Sequence, residues 1–188
     1  LHPRTVFHKV PNNVPLRIAS MALPIGNGFQ WAMFDAGASP GKTIVIQGPG
    51  QQGLGCVIAA KSAGASTIIV TGLKKDAHRF AAARAFGATH TLAADEVDVQ
   101  EAVRDITGGR LADIVIECSG AGTGIVNASL GLLRRRGTLL VATRKGPVEK
   151  FDCDQLVLKQ VVFRGARGHS FQAVEMALQT MAEGRFPL

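Results

Sequence analysis

The chain has no tyrosine, one tryptophan and nine phenylalanines. Few rings are available to stack on bases, and the net charge of +7 is scattered rather than gathered into a patch. Only Arg134–Arg136 form a tight basic run. They follow "ASLGLL" and precede Gly137, which suits cations on the last turn of a helix, facing the negative end of its dipole. Nucleic acid is therefore not the expected partner. No apolar run reaches the roughly 18 residues that cross a bilayer, so neither a membrane span nor a secretory leader is expected. Cys56, Cys118 and Cys153 share no short spacing and read as buried free thiols in a reducing, cytoplasmic setting. His2, His8, His78, His90 and His169 stand apart, none at ligand spacing from a cysteine, so no metal site is expected within this sequence.

What is present is a globular composition, 46% hydrophobic and 19% charged. From Thr43 onward short apolar runs alternate with helical patterns. Strands are expected at Thr43–Gln47, Thr67–Thr71, Thr89–Leu92, Asp113–Cys118, Thr138–Ala142 and Val161–Gly165. Helices are expected near Gln52–Ala63, Asp76–Phe86, Val99–Ile106, Thr123–Arg135 and Ser170–Glu183. Unbroken runs such as "IVI" and "LLV" suit strands covered on both faces, which predicts a six-stranded parallel sheet in a doubly wound α/β fold. Gly64, Gly87, Gly108 and Gly137 each follow a helical pattern, where a left-handed cap is wanted. Residues 1–40 hold most of the prolines and one candidate helix over Pro15–Phe34. They read as a linker feeding the domain at 41–188.

The chemistry centres on "GPGQQG", Gly48 to Gly53, which lies between a strand and a helix and fits G-x-G-x-x-G. Gly48 permits the tight turn, Gly50 lets a pyrophosphate approach the backbone, and Gly53 lets helix and strand pack closely. The free amides at the helix start would receive the phosphates. "GKT" at Gly41–Thr43 imitates a phosphate loop, but its first glycine would fall on Ala36 and it precedes its strand, so it is rejected.

"GKTIVIQGPGQQGLG", "AAARAFGATHTL", "ITGGRLADIVIECSGA" and "LRRRGTLLVATRKG" together resemble, in order and spacing, the cofactor domain of the medium-chain dehydrogenase/reductase family, in its zinc-type alcohol, polyol and threonine dehydrogenase branch. The resemblance runs from Pro40 to Pro187 and implies a Rossmann fold that binds NAD(P). It implies an alcohol or polyol dehydrogenase as the parent protein, with a GroES-like catalytic domain ahead of this one. The fragment alone is expected to be inactive and to hold no catalytic residues. It further implies that Gly48, Gly50, Gln51, Gln52 and Gly53 hold the pyrophosphate. Cys118 and Ser119 would line the adenosine and nicotinamide-ribose side, and Val141, Ala142, Thr143, Ala166 and Arg167 would meet the carboxamide. Where the family's zinc enzymes carry a ligand, "MALPIGNGFQW" offers Leu23 and Pro24, neither of which coordinates metal; zinc in the parent stays open. A non-catalytic NAD(P)-sensing or scaffold module shares the same loop and is the alternative.

One part of an NAD site is missing. The acid that would hold the ribose 2′-hydroxyl at the end of the second strand is replaced by Thr71 and Gly72. Asp76 comes later and suits a cap on the following helix. Lys74 and Lys75 stand close enough to meet a 2′-phosphate, so NADP is expected over NAD, mainly through Lys74. Finally, if "VVFRGA" (Val161–Ala166) is an edge strand it invites a second copy, as in related dimers, unless Arg164 blunts it.

Overall fold

The computed structural model describes residues 5–148 and 150–188, so His2 lies outside the described residues. Six strands form one parallel sheet: β1 (Thr43–Gln47), β2 (Thr67–Gly72), β3 (His90–Ala93), β4 (Ala112–Glu117), β5 (Leu133–Val141) and β6 (Val162–Gly165). Their order is β3-β2-β1-β4-β5-β6. The chain winds outward from β1 to β3, then crosses back to lay β4 beside β1. The connections leaving β1 and β4 therefore diverge and open a crevice at the carboxyl ends of the strands.

Helices α3 (Gln51–Ser62), α4 (Ala77–Ala85), α5 (Val99–Ile106), α6 (Gly124–Leu132) and α7 (Cys153–Lys159) connect the strands, and α8 (Phe171–Ala182) follows β6. Successive strand residues serve opposite faces. Ile44, Ile46, Ile68, Val70, Ile116 and Leu140 join the core shared with α3 and α8, while Val45, Ile69, Val115 and Leu139 join the core shared with α5 and α6. Full burial of each such side chain stabilises the fold by about 1.5–3 kcal/mol. At the opposite, amino end of the sheet, Asp113 accepts from Thr43 N–H at 2.8 Å and from Arg134 Nε at 2.8 Å, with Lys42 Nζ at 3.3 Å. Burial acts to raise its carboxyl, but these three donors outweigh it and hold Asp113 below the ordinary carboxylate value.

Several expectations need correction. The segment ahead of β1 is not one helix over Pro15–Phe34. It forms α1 (Leu16–Ala19) and α2 (Ala22–Gly28), then a π-helical turn over Phe29–Asp35. Nor does it lie loose, because Ile25, Phe29, Trp31 and Ala32 are buried in the core beside α3. Arg134–Arg136 do not end a helix; α6 stops at Leu132 and all three open β5, Arg134 being drawn in by Asp113 at 2.7 Å. The left-handed residue there is Arg136, with φ 57°, not Gly137. β3 sits one residue later than expected. Helix α7 is additional to the expected elements: its seven residues are started by Asp152, which accepts from Gln155 N–H at 3.0 Å.

The contact between α2 and α3 is made through bare backbone. A Cβ on Gly28 would lie 2.2 Å from the carbonyl carbon of Gly55. Gly28→Ala is therefore expected to destabilise the chain by about 1–3 kcal/mol in urea unfolding. Gly124→Ala, where an added Cβ meets nothing within 4 Å, should leave the midpoint unchanged or slightly raised.

Candidate functional site

The crevice between the connections after β1, β2 and β4 is a cleft of about 470 Å³. Its floor is the glycine loop. Gly48 has φ +103°, a region that side-chain-bearing residues rarely adopt, and its N–H donates to Thr71 O at 2.9 Å. A Cβ on Gly53 would lie 1.9 Å from Gly48 O, whereas one on Gly50 would meet nothing within 4 Å. Gly53 thus seats α3 against the turn, and Gly50 leaves bare backbone facing the cleft. Leu54 N–H is the donor to Gly50 O, at 2.9 Å, so the amides of Gln51, Gln52 and Gly53 precede the helix's own ladder. Free amides at a helix start can receive an anion with help from the helix dipole; Gln51, Gln52 and Gly53 sit next to Gly50, just beyond the lining of the cleft. Gln51 is exposed. Gln52 is half-buried, and its Oε1 accepts from Asn27 Nδ2 at 3.0 Å.

At the end of β2 the absent acid has a packing cause. A Cβ on Gly72 would lie 2.8 Å from Pro49 Cγ and 3.1 Å from Phe80 Cε1, so the glycine loop's own proline occupies the space a carboxylate there would need. Asp76 does not cap α4 forward. Its carboxylate reaches back, accepting from Leu73 N–H at 3.0 Å and from Arg79 at 3.1 Å. Lys74 is held by Glu96, 2.6 Å away, which raises its pKa through a hydrogen bond and charge. Lys74 lines a separate hollow of about 340 Å³ together with Phe80 and Val97, and not the cleft. Lys75 and Arg79 do line the cleft. Lys75 has no ion-pair partner among the described residues.

After β4 the wall of the cleft is Cys118, Ser119, Gly120 and Ala121, with Ile125 beyond. Of the three cysteines only Cys56 is buried; Cys118 is half-buried and Cys153 exposed, contrary to the expectation for all three. Burial, then the neighbouring Glu117 carboxylate, pushes the Cys118 thiol up to about 12, against the opposing effect of Lys145. Burial likewise raises Cys56 well above its ordinary value. Val141, Ala142 and Thr143 are half-buried, as is Ala166, and Arg167 is exposed. They sit at the carboxyl ends of β5 and β6, outside the lining of the cleft. Sequence reasoning missed Glu117 and Lys145, a buried pair 3.0 Å apart that joins the β4 and β5 exits.

Among the described residues no three His, Cys, Asp or Glu side chains converge as a metal site, and none of their helices is long and apolar enough to cross a membrane. Leu23 is exposed, and Pro24 gives only its carbonyl, which packs against Gly55. The described residues thus offer no set of side chains that fits a zinc site.

The sequence profile of the zinc-binding dehydrogenases matches residues 53–183. A sorbitol dehydrogenase from Halalkalibacterium halodurans is 32% identical over 94% of this chain and 51% of its own length. A D-arabitol-phosphate dehydrogenase from Enterococcus avium is 32% identical over 95% of this chain and 50% of its own. Among solved structures, an alcohol dehydrogenase zinc-binding domain protein from Burkholderia ambifaria superposes with a TM-score of 0.85 at 31% identity, over 95% of this chain and 49% of that one. The chain spans about half the length of the curated relatives it matches.

A thiol with a pKa of about 12 is ionised in only about one molecule in ten thousand at pH 8. Titration of the native chain with a thiol-exchange reagent at that pH should show one fast thiol, Cys153, with Cys118 and Cys56 slow. Two fast thiols would contradict this description of the cleft wall.

Proposed function

The chain belongs to the zinc-binding dehydrogenase family as its NAD(P)-binding domain, and from that premise we propose that its cleft holds NADP(H) in preference to NAD(H). In the longer parent protein this supports hydride exchange with an alcohol or polyol carbon. The bound nicotinamide would supply the hydride chemistry, and this chain supplies grip and orientation. The amides of Gln51, Gln52 and Gly53 receive the pyrophosphate at the start of α3. Thr71 and Gly72 pass beneath the adenosine ribose, and Ser119 and Cys118 face it from the other wall. The exits of β5 and β6, with Val141–Thr143 and Ala166–Arg167, receive the nicotinamide end. A GroES-like domain preceding this one in the parent would carry the substrate groups, and the present chain alone turns over no alcohol. The free thiols suit a reducing cytoplasm.

The observation that carries the cofactor preference is the chemistry beside Gly72. A side chain on Gly72 would crowd Pro49, the Asp76 carboxylate at the cleft is already shared by Leu73 N–H and Arg79, and Lys75 and Arg79 line the cleft beside it. The 2′-phosphate role first given to Lys74 passes to these two. A charge-assisted bond to phosphate is worth about 1.5–3 kcal/mol, or roughly ten- to a hundredfold in affinity. Titration at fixed salt should find NADPH at least about tenfold tighter than NADH. The double variant Lys75→Ala, Arg79→Ala should collapse that ratio, and Lys74→Ala should preserve it. Equal binding of the two cofactors, or a ratio untouched by the double variant, would overturn the reading.

We also propose that the chain pairs with a second copy through β6. This strand ends the sheet, its Val162 and Phe163 are exposed, and α7 leading into it exposes Val157 and Leu158. Arg164, which could have guarded the edge, is drawn back to Asp35 at 2.9 Å. Sedimentation at tens of micromolar should give a dimer mass; a monomer mass would count against pairing.

A further inference from the structure

The loop leaving β4 forms one wall of the cleft yet has little packing of its own. A Cβ on Gly120, Gly122 or Gly124 would meet nothing within 4 Å, while Ser119 Cα lies 2.8 Å from where a Cβ on Gly48 would stand. The loop is therefore pressed on the glycine turn at one end and open along the rest. Hydrogen bonds hold it. Lys145 Nζ donates to Ser119 O at 2.8 Å and to Ala121 O at 2.9 Å, and lies 3.0 Å from Glu117 Oε2. Two of its N–H donors go to these carbonyls, the carboxylate stands beside it as an ion pair, and the side chain is only 6% exposed. Glu117, fully buried, also accepts from Ser119 N–H at 2.8 Å, from the Ser119 hydroxyl and from Thr143 Oγ1 at 2.7 Å.

An ammonium this enclosed is tolerable only because a carboxylate and two carbonyls replace its water. Neutralising Glu117 would need one contact. The two carbonyl contacts do something else: they tie a glycine-rich loop to the β5 exit at the height of the cofactor. We propose that Lys145 is a positioning residue for the dinucleotide, holding the wall at Ser119–Ala121 in its bound shape before the ligand arrives. The inference rests on the dinucleotide reading of the cleft. Ordering a flexible wall in advance removes that cost from binding, so its loss appears as weaker affinity.

The test uses this chain and two probes, NADPH and 2′,5′-ADP, by calorimetry, with hydrogen exchange read along the backbone. Lys145→Met leaves a buried carboxylate unpaired and can lose the fold, so Glu117→Gln, Lys145→Met is the companion variant. In the folded variant both probes should bind on the order of tenfold more weakly. Exchange should quicken across residues 119–124 while the amides of β1 and β4 stay protected. Affinities within twofold of the native chain, or exchange that rises evenly over the sheet, would overturn the proposal. A native chain that binds neither probe would overturn the dinucleotide reading itself.

Discussion

Everything about this site depends on one helix being able to touch backbone on both sides. At Gly53, an added Cβ would lie 1.9 Å from Gly48 O; at Gly55, 2.3 Å from Pro24 O; and the facing Gly28 would collide with Gly55 at 2.2 Å. No side chain larger than hydrogen fits at any of the three, so α3 is pressed between the turn after β1 and the helix α2. That pressure brings the first amides of α3 directly above the strand ends. A helix held even a methyl group farther out would still have a dipole but would no longer share a floor with Gly48 and Thr71.

The same closeness decides the chemistry of the neighbouring wall. Because the turn is compact, Pro49 lies over the end of β2 and forbids a side chain at Gly72. The place an acid would occupy at Gly72 is thus closed by sterics, and the charged side chains lining the cleft on that side are Lys75, Asp76 and Arg79. Asp76 is close by, but a backbone amide and a guanidinium already share its oxygens. The packing at Gly72 excludes a side chain there, and the one carboxylate that does line this side of the cleft, Asp76, is engaged by its own loop and by Arg79.

The sheet, its helices and the glycine loop were legible because short-range rules govern them: apolar runs mark covered strands, and a glycine in the left-handed region marks Gly64, Gly87 and Gly108. What was misread depends on partners distant in sequence. Arg134 looks like a helix-end cation until Asp113 is seen to pull it into β5. The partner of Lys74, Glu96, lies 22 residues further along the chain and is equally hidden from a local reading. Glu117 is a single charge in an apolar run, Lys145 follows Arg144 just before Gly146, and nothing local announces that they meet. The edge β6 reads as an ordinary strand either way; only Asp35 reveals where Arg164 goes.

The segment before β1 shows most plainly what composition hides. Its prolines suggest a linker, yet three consecutive contacts fasten it to the loop after β6. Asn27 Oδ1 lies 2.8 Å from His169 Nδ1, Gln30 Oε1 accepts from Ser170 N–H at 3.0 Å, and Trp31 Nε1 donates to Gly168 O at 2.9 Å. Asn27 also donates to Gln52, so one side chain connects the start of α3 to the exit of β6. In the proposed cofactor reading these are the two ends of the surface along which the dinucleotide would lie. The π-helical turn over Phe29–Asp35 widens the helix just where Trp31 must reach Gly168 and Asp35 must reach Arg164. A cut at residue 40 would therefore remove the side chains that join the start of α3 to the exit of β6. The physical unit of this domain begins well before its first strand.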